Sequence, residues 1–253
     1  MILDKFNLKD KTAIVTGSST GLGQGIAIAL AQAGANVVGV HSSKDSPTGD
    51  MIKTFSGNYT FISADLTSVE PVQRIIDTAV SSFGSIDILV NNAGIIRRCE
   101  AVSFNEKDWD DVMNINIKTL FFLSQSVARR FISQGKGGKI INIASMLSYQ
   151  GGVNVVSYTS SKSAVKGLTM SLANEWAKYG INVNAIAPGY METNNTEALR
   201  NDTIRNKAIL ERIPQGRWGI PEDIAGAAVF LASSASDYIN GTTIAVDGGW
   251  LGR

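Results

Sequence analysis

The chain has 253 residues, 44% of them hydrophobic, and a formal net charge of +1 at pH 7. This length is enough to bury the core of one large α/β domain, and the near-neutral charge gives no electrostatic footprint for nucleic acid or an anionic membrane. The single cysteine, Cys99, cannot form an intrachain disulfide, and with only one histidine a His/Cys metal site is nearly excluded. The N-terminal residues lack the apolar core of a signal peptide, and no apolar run is long enough to span a bilayer, so we expect a cytoplasmic protein.

Short β-branched runs alternate with longer segments of helical periodicity along the whole chain. The predicted strands are Thr12–Thr16, Asn36–Val40, Tyr59–Ser63, Ile86–Val90, Lys139–Ile143, Ile181–Ile186 and Thr242–Val246. The predicted helices lie near Leu22–Ala33, Val69–Phe83, Asn105–Ser133, Val155–Tyr179 and Pro221–Ala232. This alternation predicts an α/β fold, with a doubly wound, seven-stranded parallel sheet and helices on both faces. Because no linker or repeat interrupts it, residues 1–253 are predicted to form a single domain.

The first predicted strand leads directly into a glycine-rich loop with the spacing G-x-x-x-G-x-G. Such a loop allows a tight turn, a close approach of the backbone to a pyrophosphate, and free N–H groups at the start of a helix. Its place between a strand and a helix favours a dinucleotide site, and the lack of a G-K-[ST] sequence disfavours a P-loop NTPase. The expected cofactor contacts in this loop are Gly17, Ser19, Thr20, Gly21, Leu22 and Gly23.

Two further segments follow the third and fourth predicted strands. Asp65 would place a carboxylate beside an adenine, although use of this residue as a helix cap or in a turn is equally common. Residues 91–94, Asn-Asn-Ala-Gly, would let the backbone lie against the cofactor, while the alternative for the two asparagines is turn chemistry. The expected cofactor contacts in these segments are Asp65, Leu66, Asn92, Ala93 and Gly94.

Tyr158 and Lys162 stand four residues apart in a predicted helix, so the phenol and the ammonium project from the same face. A tyrosine titrates near pH 10, and its use as a base at pH 7 needs about 4 kcal/mol. A lysine cation about 5 Å away contributes roughly 3 kcal/mol at an effective dielectric near 20, and a second cation such as an oxidised nicotinamide could supply the rest. The pair is therefore a candidate proton-transfer site, although an exposed lysine and a packed tyrosine often share this spacing by chance.

Residues 190–218 interrupt the strand–helix alternation with a polar, asparagine-rich stretch. An insertion at the carboxyl end of a strand is well placed to cover a ligand. We predict a substrate lid here, and the alternative is a surface excursion without function.

The ordered set of motifs resembles the short-chain dehydrogenase/reductase family over essentially the whole chain. The motifs are TGSSTGLG, the Asp65-Leu66 pair, NNAG, Asn116, Ser145, Tyr158-x-x-x-Lys162 and Pro188-Gly189. The resemblance implies a Rossmann fold and an enzyme that interconverts a hydroxyl and a ketone with a nicotinamide cofactor.

The resemblance also implies a role for each catalytic residue. Tyr158 would be the general acid/base, and Ser145 would hydrogen-bond the same substrate oxygen. Lys162 would lower the pKa of Tyr158 and hold the nicotinamide ribose. Asn116 would kink the long helix and fix a water that links Lys162 to solvent. The residues implied near the nicotinamide are Pro188, Gly189, Met191 and Thr193.

The choice between NAD and NADP depends on the end of the second strand. An acidic residue there would accept hydrogen bonds from a free ribose 2′-OH and repel a 2′-phosphate. In this chain His41 occupies that position without a neighbouring arginine, and Thr20 stands where NADP-binding relatives often carry a basic residue. Lys44 could reach a phosphate, although a solvated loop lysine is the commoner case. We expect NAD as the cofactor, with NADP as the alternative.

Arg97, Arg98 and Gln150 are the expected substrate contacts, together with Ser145 and Tyr158. An arginine can donate two parallel hydrogen bonds to a carboxylate, although at least one of the two arginines is expected to be a solvated surface residue.

Segments such as GIIRR and KIINIASMLSYQGG resemble family members that act on keto-deoxy sugar acids derived from uronates. This implies 2-dehydro-3-deoxy-D-gluconate or 2-deoxy-D-gluconate as the substrate, with gluconate or another polyol acid as the alternative.

Family members usually form homotetramers through their two long helices and the C-terminal strand. The apolar stretch at residues 120–123 fits such an interface, although burial within the monomer explains it equally well. A protein of another class, which senses NAD(H) without turnover, is disfavoured by the complete set of catalytic residues.

Overall fold

The structure is a computed structural model that describes residues 1–43 and 46–253, so Lys44 lies outside the described residues. Within these residues seven parallel strands form one sheet in the order β3-β2-β1-β4-β5-β6-β7. The strands are β1 (Thr12–Thr16), β2 (Asn36–His41), β3 (Tyr59–Ser63), β4 (Ile88–Asn91), β5 (Gly138–Ile143), β6 (Ile181–Pro188) and β7 (Thr243–Val246). This sheet confirms the predicted fold, and β1 and β3 have the predicted bounds.

Helices connect the strands on both sides of the sheet. They are α1 (Gly21–Gln32), α2 (Thr48–Lys53), α3 (Val72–Phe83), α4 (Glu106–Met113), α5 (Leu120–Gln134), α6 (Val156–Trp176), α7 (Glu197–Asn201), α8 (Thr203–Arg212) and α9 (Pro221–Ala232). The sequence does not predict α2, α7 and α8, because these segments are short and lack a sustained apolar period. None of the helices in residues 1–43 and 46–253 combines the length and the apolar character that crossing a bilayer requires.

The two faces of the sheet carry separate hydrophobic cores. Ile14 of β1 packs in one core with Ile75 of α3 and Phe131 of α5. Its neighbour Val15 packs in the second core with Ile26 of α1. Because successive strand residues face opposite sides of a sheet, a strand that is covered on both faces is buried at every position. This explains why all five residues of β1 are buried.

The predicted helix Asn105–Ser133 is divided by a π-helical segment at Asn114–Thr119. Asn116 in this segment is fully buried. Its side-chain carbonyl accepts a hydrogen bond from the backbone N–H of Ile95 at 2.9 Å, and its amide group donates to the Ile95 carbonyl at 3.0 Å. The extra residue of a π-turn breaks the regular helical ladder, so the kink that the resemblance implies has a structural basis here.

Residues 190–218 form an excursion between β6 and α9. A parallel β-bridge joins Met191, near its start, to Gly219, just after its end. The Arg217 guanidinium donates two hydrogen bonds to the Asp223 carboxylate of α9, at 2.7 and 2.8 Å. The base of the excursion is therefore closed and tied to a helix that shares a core with α1.

The substitution Asp223→Asn should remove a stabilising interaction that depends on pH. The hydrogen bonds from Arg217 and from the backbone of Ile220 lower the pKa of Asp223 from 3.8 to about 2. A carboxyl group whose pKa is lowered by folding stabilises the protein above its unfolded pKa, and this effect is lost as the pH falls through about 2. Thermal unfolding should show a wild-type advantage of about 2 °C at pH 7 that shrinks below pH 4.

The matched control for this experiment is Asp50→Asn, which removes a carboxylate that is 85% exposed and paired only with Lys53. A wild-type advantage over Asp223→Asn that stays constant from pH 7 to pH 3 would contradict the assignment.

Candidate active site

Tyr158 and Lys162 lie side by side on α6, with the Lys162 Nζ atom 5.7 Å from the centre of the Tyr158 ring. The Lys162 side chain is only 4% exposed. Its ammonium donates a hydrogen bond of 2.6 Å to the carbonyl oxygen of Ile143, the last residue of β5. The four-residue spacing thus places both groups where β5 ends, at the edge of the sheet at which ligands of open α/β folds bind.

Ser145 follows β5 by two residues and begins a short 3₁₀ helix. Its hydroxyl oxygen accepts a hydrogen bond from the backbone N–H of Leu147 at 3.1 Å, which fixes the side chain. Ser145 and Tyr158 line the same cavity. Both hydroxyl groups are therefore placed on the wall of one site.

Burial governs the charge states of this pair. It raises the pKa of Tyr158, while the hydrogen bond with Ser145 and the positive charge of Arg98 act in the opposite direction. Burial also lowers the pKa of Lys162 to about 8. The net shift of the Tyr158 pKa is upward, opposite to the direction that we expected from the Lys162 charge. Each group is pushed towards its neutral form by desolvation, so a further cation must act before the phenol can serve as a base near pH 7.

Asn116 joins three parts of the site. Besides its two hydrogen bonds to the backbone of Ile95, its amide group donates to the Ser161 hydroxyl at 3.0 Å. The Ser161 hydroxyl in turn donates to the carbonyl of Tyr158 at 2.8 Å. The Asn116 side chain is therefore a positioning group that holds α6 against the segment after β4, and its predicted link to a water stays a prediction.

A cleft with a volume of about 320 Å³ runs from the glycine-rich loop to Tyr158 and Lys162. The predicted residues that line it are Gly17, Ser19, Thr20, Gly21, Leu22, Asn92, Ala93, Gly94, Tyr158, Lys162 and Thr193. The sequence analysis missed Ile143, Asn194 and Asn195, which also line it. No local motif marks these residues, although the predicted lid over residues 190–218 includes both asparagines.

The residues of this cleft fit a dinucleotide. Gly17 has a φ of +66°, and a Cβ atom there would lie 2.8 Å from the Asn92 Nδ2 atom. Asn92 donates to the backbone carbonyls of Thr16 and Gly17, at 2.9 and 3.2 Å, and so holds the loop against the end of β4. The Thr20 side chain forms no capping hydrogen bond with α1 in the described structure. The first N–H groups of α1 are thus available to a phosphate.

Several predicted cofactor contacts lie outside this lining. They are Gly23, His41, Asp65, Leu66, Pro188, Gly189 and Met191. Gly23 packs on the Gly17 carbonyl and leaves no room for a side chain there. Pro188 ends β6, and Gly189 lines a second cavity instead.

The other predicted contacts outside the lining of the cleft take part in a turn or are packed in the interior. The Asp65 carboxylate accepts a hydrogen bond from the Thr67 backbone N–H at 2.9 Å, which is the turn alternative. Leu66 and Met191 are buried in the two cores. His41 is 5% exposed, and its ring stacks on Phe61 with the ring centres 5.1 Å apart. These residues are assigned by strand position and by the family resemblance, and their contacts with the cofactor stay predictions.

A second cavity of about 400 Å³ shares Tyr158 and Asn195 with the cleft. Ser145, Arg98 and Gln150 line it, as expected for substrate contacts. The described residues contain no group of three or more His, Cys, Asp or Glu side chains that could hold a metal ion. The polar side chains that line this cavity include hydroxyl, amide and guanidinium groups.

The two neighbouring arginines have different environments. Arg98 faces the cavity and donates a hydrogen bond to the Asn195 carbonyl at 3.2 Å. Arg97 instead pairs with Asp108 at 3.2 Å and Asp111 at 3.6 Å. The expected substrate contact at Arg97 is therefore corrected: this side chain is the surface residue of the two.

The sequence analysis missed the contribution of the 190–218 excursion to the second cavity. Arg205, Ala208, Ile209 and Arg212 of α8 line it, together with Tyr190. Their spacing of i, i+3, i+4 and i+7 defines one face of a helix. If the segment had been predicted to be helical, this spacing would have placed Arg205 and Arg212 on one face and indicated them as candidate site residues.

Comparisons with known proteins agree with this geometry. A family model described as enoyl-(acyl carrier protein) reductase matches residues 17–251. The chain is 61% identical over 253 residues to a 2-dehydro-3-deoxy-D-gluconate 5-dehydrogenase of Dickeya dadantii, and 100% of both chains is covered.

Two solved structures are also similar. A protein of Agrobacterium tumefaciens with bound NADP, provisionally described as a 2-deoxy-D-gluconate 3-dehydrogenase, is 55% identical with a TM-score of 0.91, covering 99% of this chain and 100% of that one. A gluconate 5-dehydrogenase of Burkholderia cenocepacia, in complex with NADP and tartrate, is 39% identical with a TM-score of 0.95, covering 100% of both chains.

The substitution Gly17→Ala should weaken dinucleotide binding more than it destabilises the fold. The new methyl group would meet Asn92 inside the cleft, and the loop would have to shift. We expect the Kd for NADH, measured by fluorescence titration, to rise about 10-fold or more, which corresponds to roughly 1.4 kcal/mol.

The control is Gly84→Ala. Gly84 also has a positive φ, of +81°, but its added Cβ atom would have no described neighbour within 4 Å. This variant bears a left-handed strain of about 1–2 kcal/mol without touching the cleft. Equal NADH affinity in the two variants would show that the loop does not bind the cofactor.

Proposed function

The chain belongs to the short-chain dehydrogenase/reductase family, and we propose that it is an NAD(P)-dependent oxidoreductase that interconverts a hydroxyl and a ketone on a deoxy sugar acid. The observation that carries this proposal is the position of Tyr158, which lines both the dinucleotide cleft and the second cavity. A proton-transfer group at this junction can reach a substrate oxygen beside a bound nicotinamide. The 61% identity to a 2-dehydro-3-deoxy-D-gluconate 5-dehydrogenase supports 2-dehydro-3-deoxy-D-gluconate, or 2-deoxy-D-gluconate, as the substrate.

Tyr158 and Ser145 act on one substrate oxygen. During oxidation the Tyr158 phenolate takes the proton of the substrate hydroxyl, and during reduction the phenol returns a proton to the carbonyl oxygen. The Ser145 hydroxyl donates a hydrogen bond to the same oxygen and stabilises the charge that develops on it. Bound NAD(P) supplies the hydride acceptor or donor.

Lys162 has two tasks in this proposal. With a pKa of about 8 it remains mostly cationic at pH 7, so its charge favours the phenolate form of Tyr158. Its position in the lining of the cleft supports a hydrogen bond to the hydroxyls of the nicotinamide ribose. Asn116 keeps both residues in place through Ser161.

We propose NAD as the preferred cofactor and NADP as the alternative. His41 stands where an acidic residue would favour NAD, and no arginine stands beside it to favour NADP. Both solved relatives contain NADP, which favours the alternative. Comparing kcat/KM for NADH and NADPH decides between them.

A second candidate function is the oxidation of gluconate or another polyol acid at the same site. The similarity to a gluconate 5-dehydrogenase favours it, although at the lower identity of 39%. A non-catalytic NAD(H) sensor gains no support, because such a protein would not need Ser145 and Tyr158 on the wall of one cavity.

The remaining parts of the proposal concern assembly and setting. We propose a cytoplasmic homotetramer that serves carbohydrate metabolism in the degradation of uronates, with residues 190–218 as a substrate lid. Phe122 of α5 and Met170 of α6 support the assembly, because these apolar side chains are 39% and 44% exposed on the two long helices.

The substitution Tyr158→Phe should abolish turnover and leave cofactor binding intact. Removing the acid/base group is expected to lower kcat by about 10²–10⁴-fold, while the Kd for NADH changes little. Turnover is measured with 2-dehydro-3-deoxy-D-gluconate, 2-deoxy-D-gluconate and gluconate, with NAD and with NADP.

Tyr149→Phe is the control, because it removes a phenolic hydroxyl from a surface tyrosine that is 45% exposed. Wild-type rates in Tyr158→Phe would contradict the mechanism, and turnover of none of the acids by the wild type would contradict the substrate class.

A further inference from the structure

Three arginines surround the second cavity without a carboxylate partner. Arg98, Arg205 and Arg212 all line it. In the part of the chain that the structure describes, none of the three forms an ion pair with an Asp or Glu side chain. Other arginines, such as Arg97 and Arg217, are neutralised in this way. Three uncompensated guanidinium groups around one cavity favour an anionic ligand.

The local structure of α8 sets the direction of two of these arginines. The Asp202 carboxylate caps the helix by accepting hydrogen bonds from the backbone N–H groups of Ile204 and Arg205, both at 3.0 Å. Ile209 is buried against Met146 near the catalytic serine. Because residues four and three positions away share the face of Ile209, this packing turns Arg205 and Arg212 towards the cavity.

Arg212 is further fixed by two contacts. Its guanidinium lies 3.9 Å from the centre of the Trp250 ring, and it donates a hydrogen bond of 3.3 Å to the Gln150 side-chain oxygen. A cation over an aromatic face is held by the ring quadrupole, so the fork of Arg212 is preorganised before a ligand arrives. This neutral environment orients the charge and does not cancel it.

Tyr190 lines the same cavity as the three arginines. Its ring packs edge-on against Trp218 and Trp250, with ring centres 5.3 and 4.8 Å apart. Arg212 lies against the same aromatic group, because its guanidinium is 3.9 Å from the centre of the Trp250 ring. Burial raises the pKa of Tyr190, and the positive charges of Arg205, Arg212 and Arg98 counteract this shift.

We propose that Arg205 and Arg212 of α8, with the hydroxyl of Tyr190, form the subsite that binds the carboxylate of the substrate. Arg98 and Tyr158 line the same cavity. In a 2-dehydro-3-deoxy-D-gluconate the carboxylate is separated from the C5 hydroxyl by four C–C bonds, an extended distance of about 5 Å. Because Tyr158, Arg205 and Arg212 line one cavity, the proposed subsite has the sugar acid place its hydroxyl at Tyr158 and its carboxylate at α8. This inference rests on the proposed function and adds the end of the cavity at which the acid group binds.

The proposed subsite would link the predicted lid to the substrate. Both arginines belong to the 190–218 excursion, so a carboxylate that binds them joins this segment to the substrate. A neutral polyol lacks that link and leaves the positive charges uncompensated. The subsite therefore selects acids over neutral sugars.

The test compares Arg205→Met and Arg212→Met with the wild type on matched acid and neutral substrates. The pairs are 2-dehydro-3-deoxy-D-gluconate with its amide and D-gluconate with D-gluconamide. Because each variant loses a charge-assisted hydrogen bond, KM for the acids should rise about 10–100-fold. The kcat values and the KM for the amides should change by less than about 3-fold, because neither arginine contacts the reacting atoms.

Two further variants control for the effect of surface charge and for the shape of the guanidinium group. Lys207→Met removes a positive charge that is 77% exposed on the same helix and paired with Glu211, and it should leave the preference for acids unchanged. Arg212→Lys keeps the charge but loses the planar fork, so it should recover part of the acid affinity.

The outcomes separate this inference from the proposed function. An equal rise of KM for acids and amides in the arginine variants overturns the subsite alone. So does a rise of KM for the acids in Lys207→Met that is as large as in the arginine variants. If the wild type turns over neither acid, the proposed function fails, and calorimetric binding of the acids to the wild type and the arginine variants still decides the subsite. A wild type that prefers the amides overturns both.

Discussion

The hydrogen bond of 2.6 Å from the buried Lys162 ammonium to the Ile143 carbonyl fixes the geometry of the site. Ile143 is the last residue of β5 and stands two positions before Ser145, while Tyr158 is one helical turn before Lys162. This contact therefore holds the end of β5 and the loop that follows it at a fixed position relative to the face of α6 that carries Tyr158 and Lys162. Burial of a cation is costly, as the pKa of about 8 for Lys162 shows. The carbonyl offsets part of that cost.

Around this contact, side-chain amide groups hold the backbone in position. Asn92 donates to the Thr16 and Gly17 carbonyls, and Asn116 joins Ile95 to Ser161. Each amide group links two strand or helix ends that hold one part of the cofactor cleft. Asn92 also lines the cofactor cleft, so one amide group both holds the loop and forms the wall of the site. Tyr158 stands where the two cavities meet.

The sequence predicted the sheet well because buried parallel strands are short apolar runs, and β1 and β3 have the predicted bounds. It predicted one helix over Asn105–Ser133, because no residue type in the sequence marks the π-helical segment at Asn114–Thr119. It missed α8, whose stability depends on distant partners of Ile209 such as Trp250. Neighbouring residues also point in different directions, so the sequence could not tell that Arg97 pairs with Asp108 while Arg98 faces the cavity.

The central claim is that burial keeps Tyr158 protonated until a second cation joins Lys162. Near-ultraviolet titration of tyrosinate, taken as the difference between wild type and Tyr158→Phe, measures this directly. With oxidised cofactor bound, the Tyr158 pKa should fall below its ordinary value of 10.0, and it should stay above that value without cofactor or with the reduced form. In Lys162→Met the fall should be lost or much smaller. The same Tyr158 pKa with both cofactor forms, or an unchanged fall in Lys162→Met, would contradict the account.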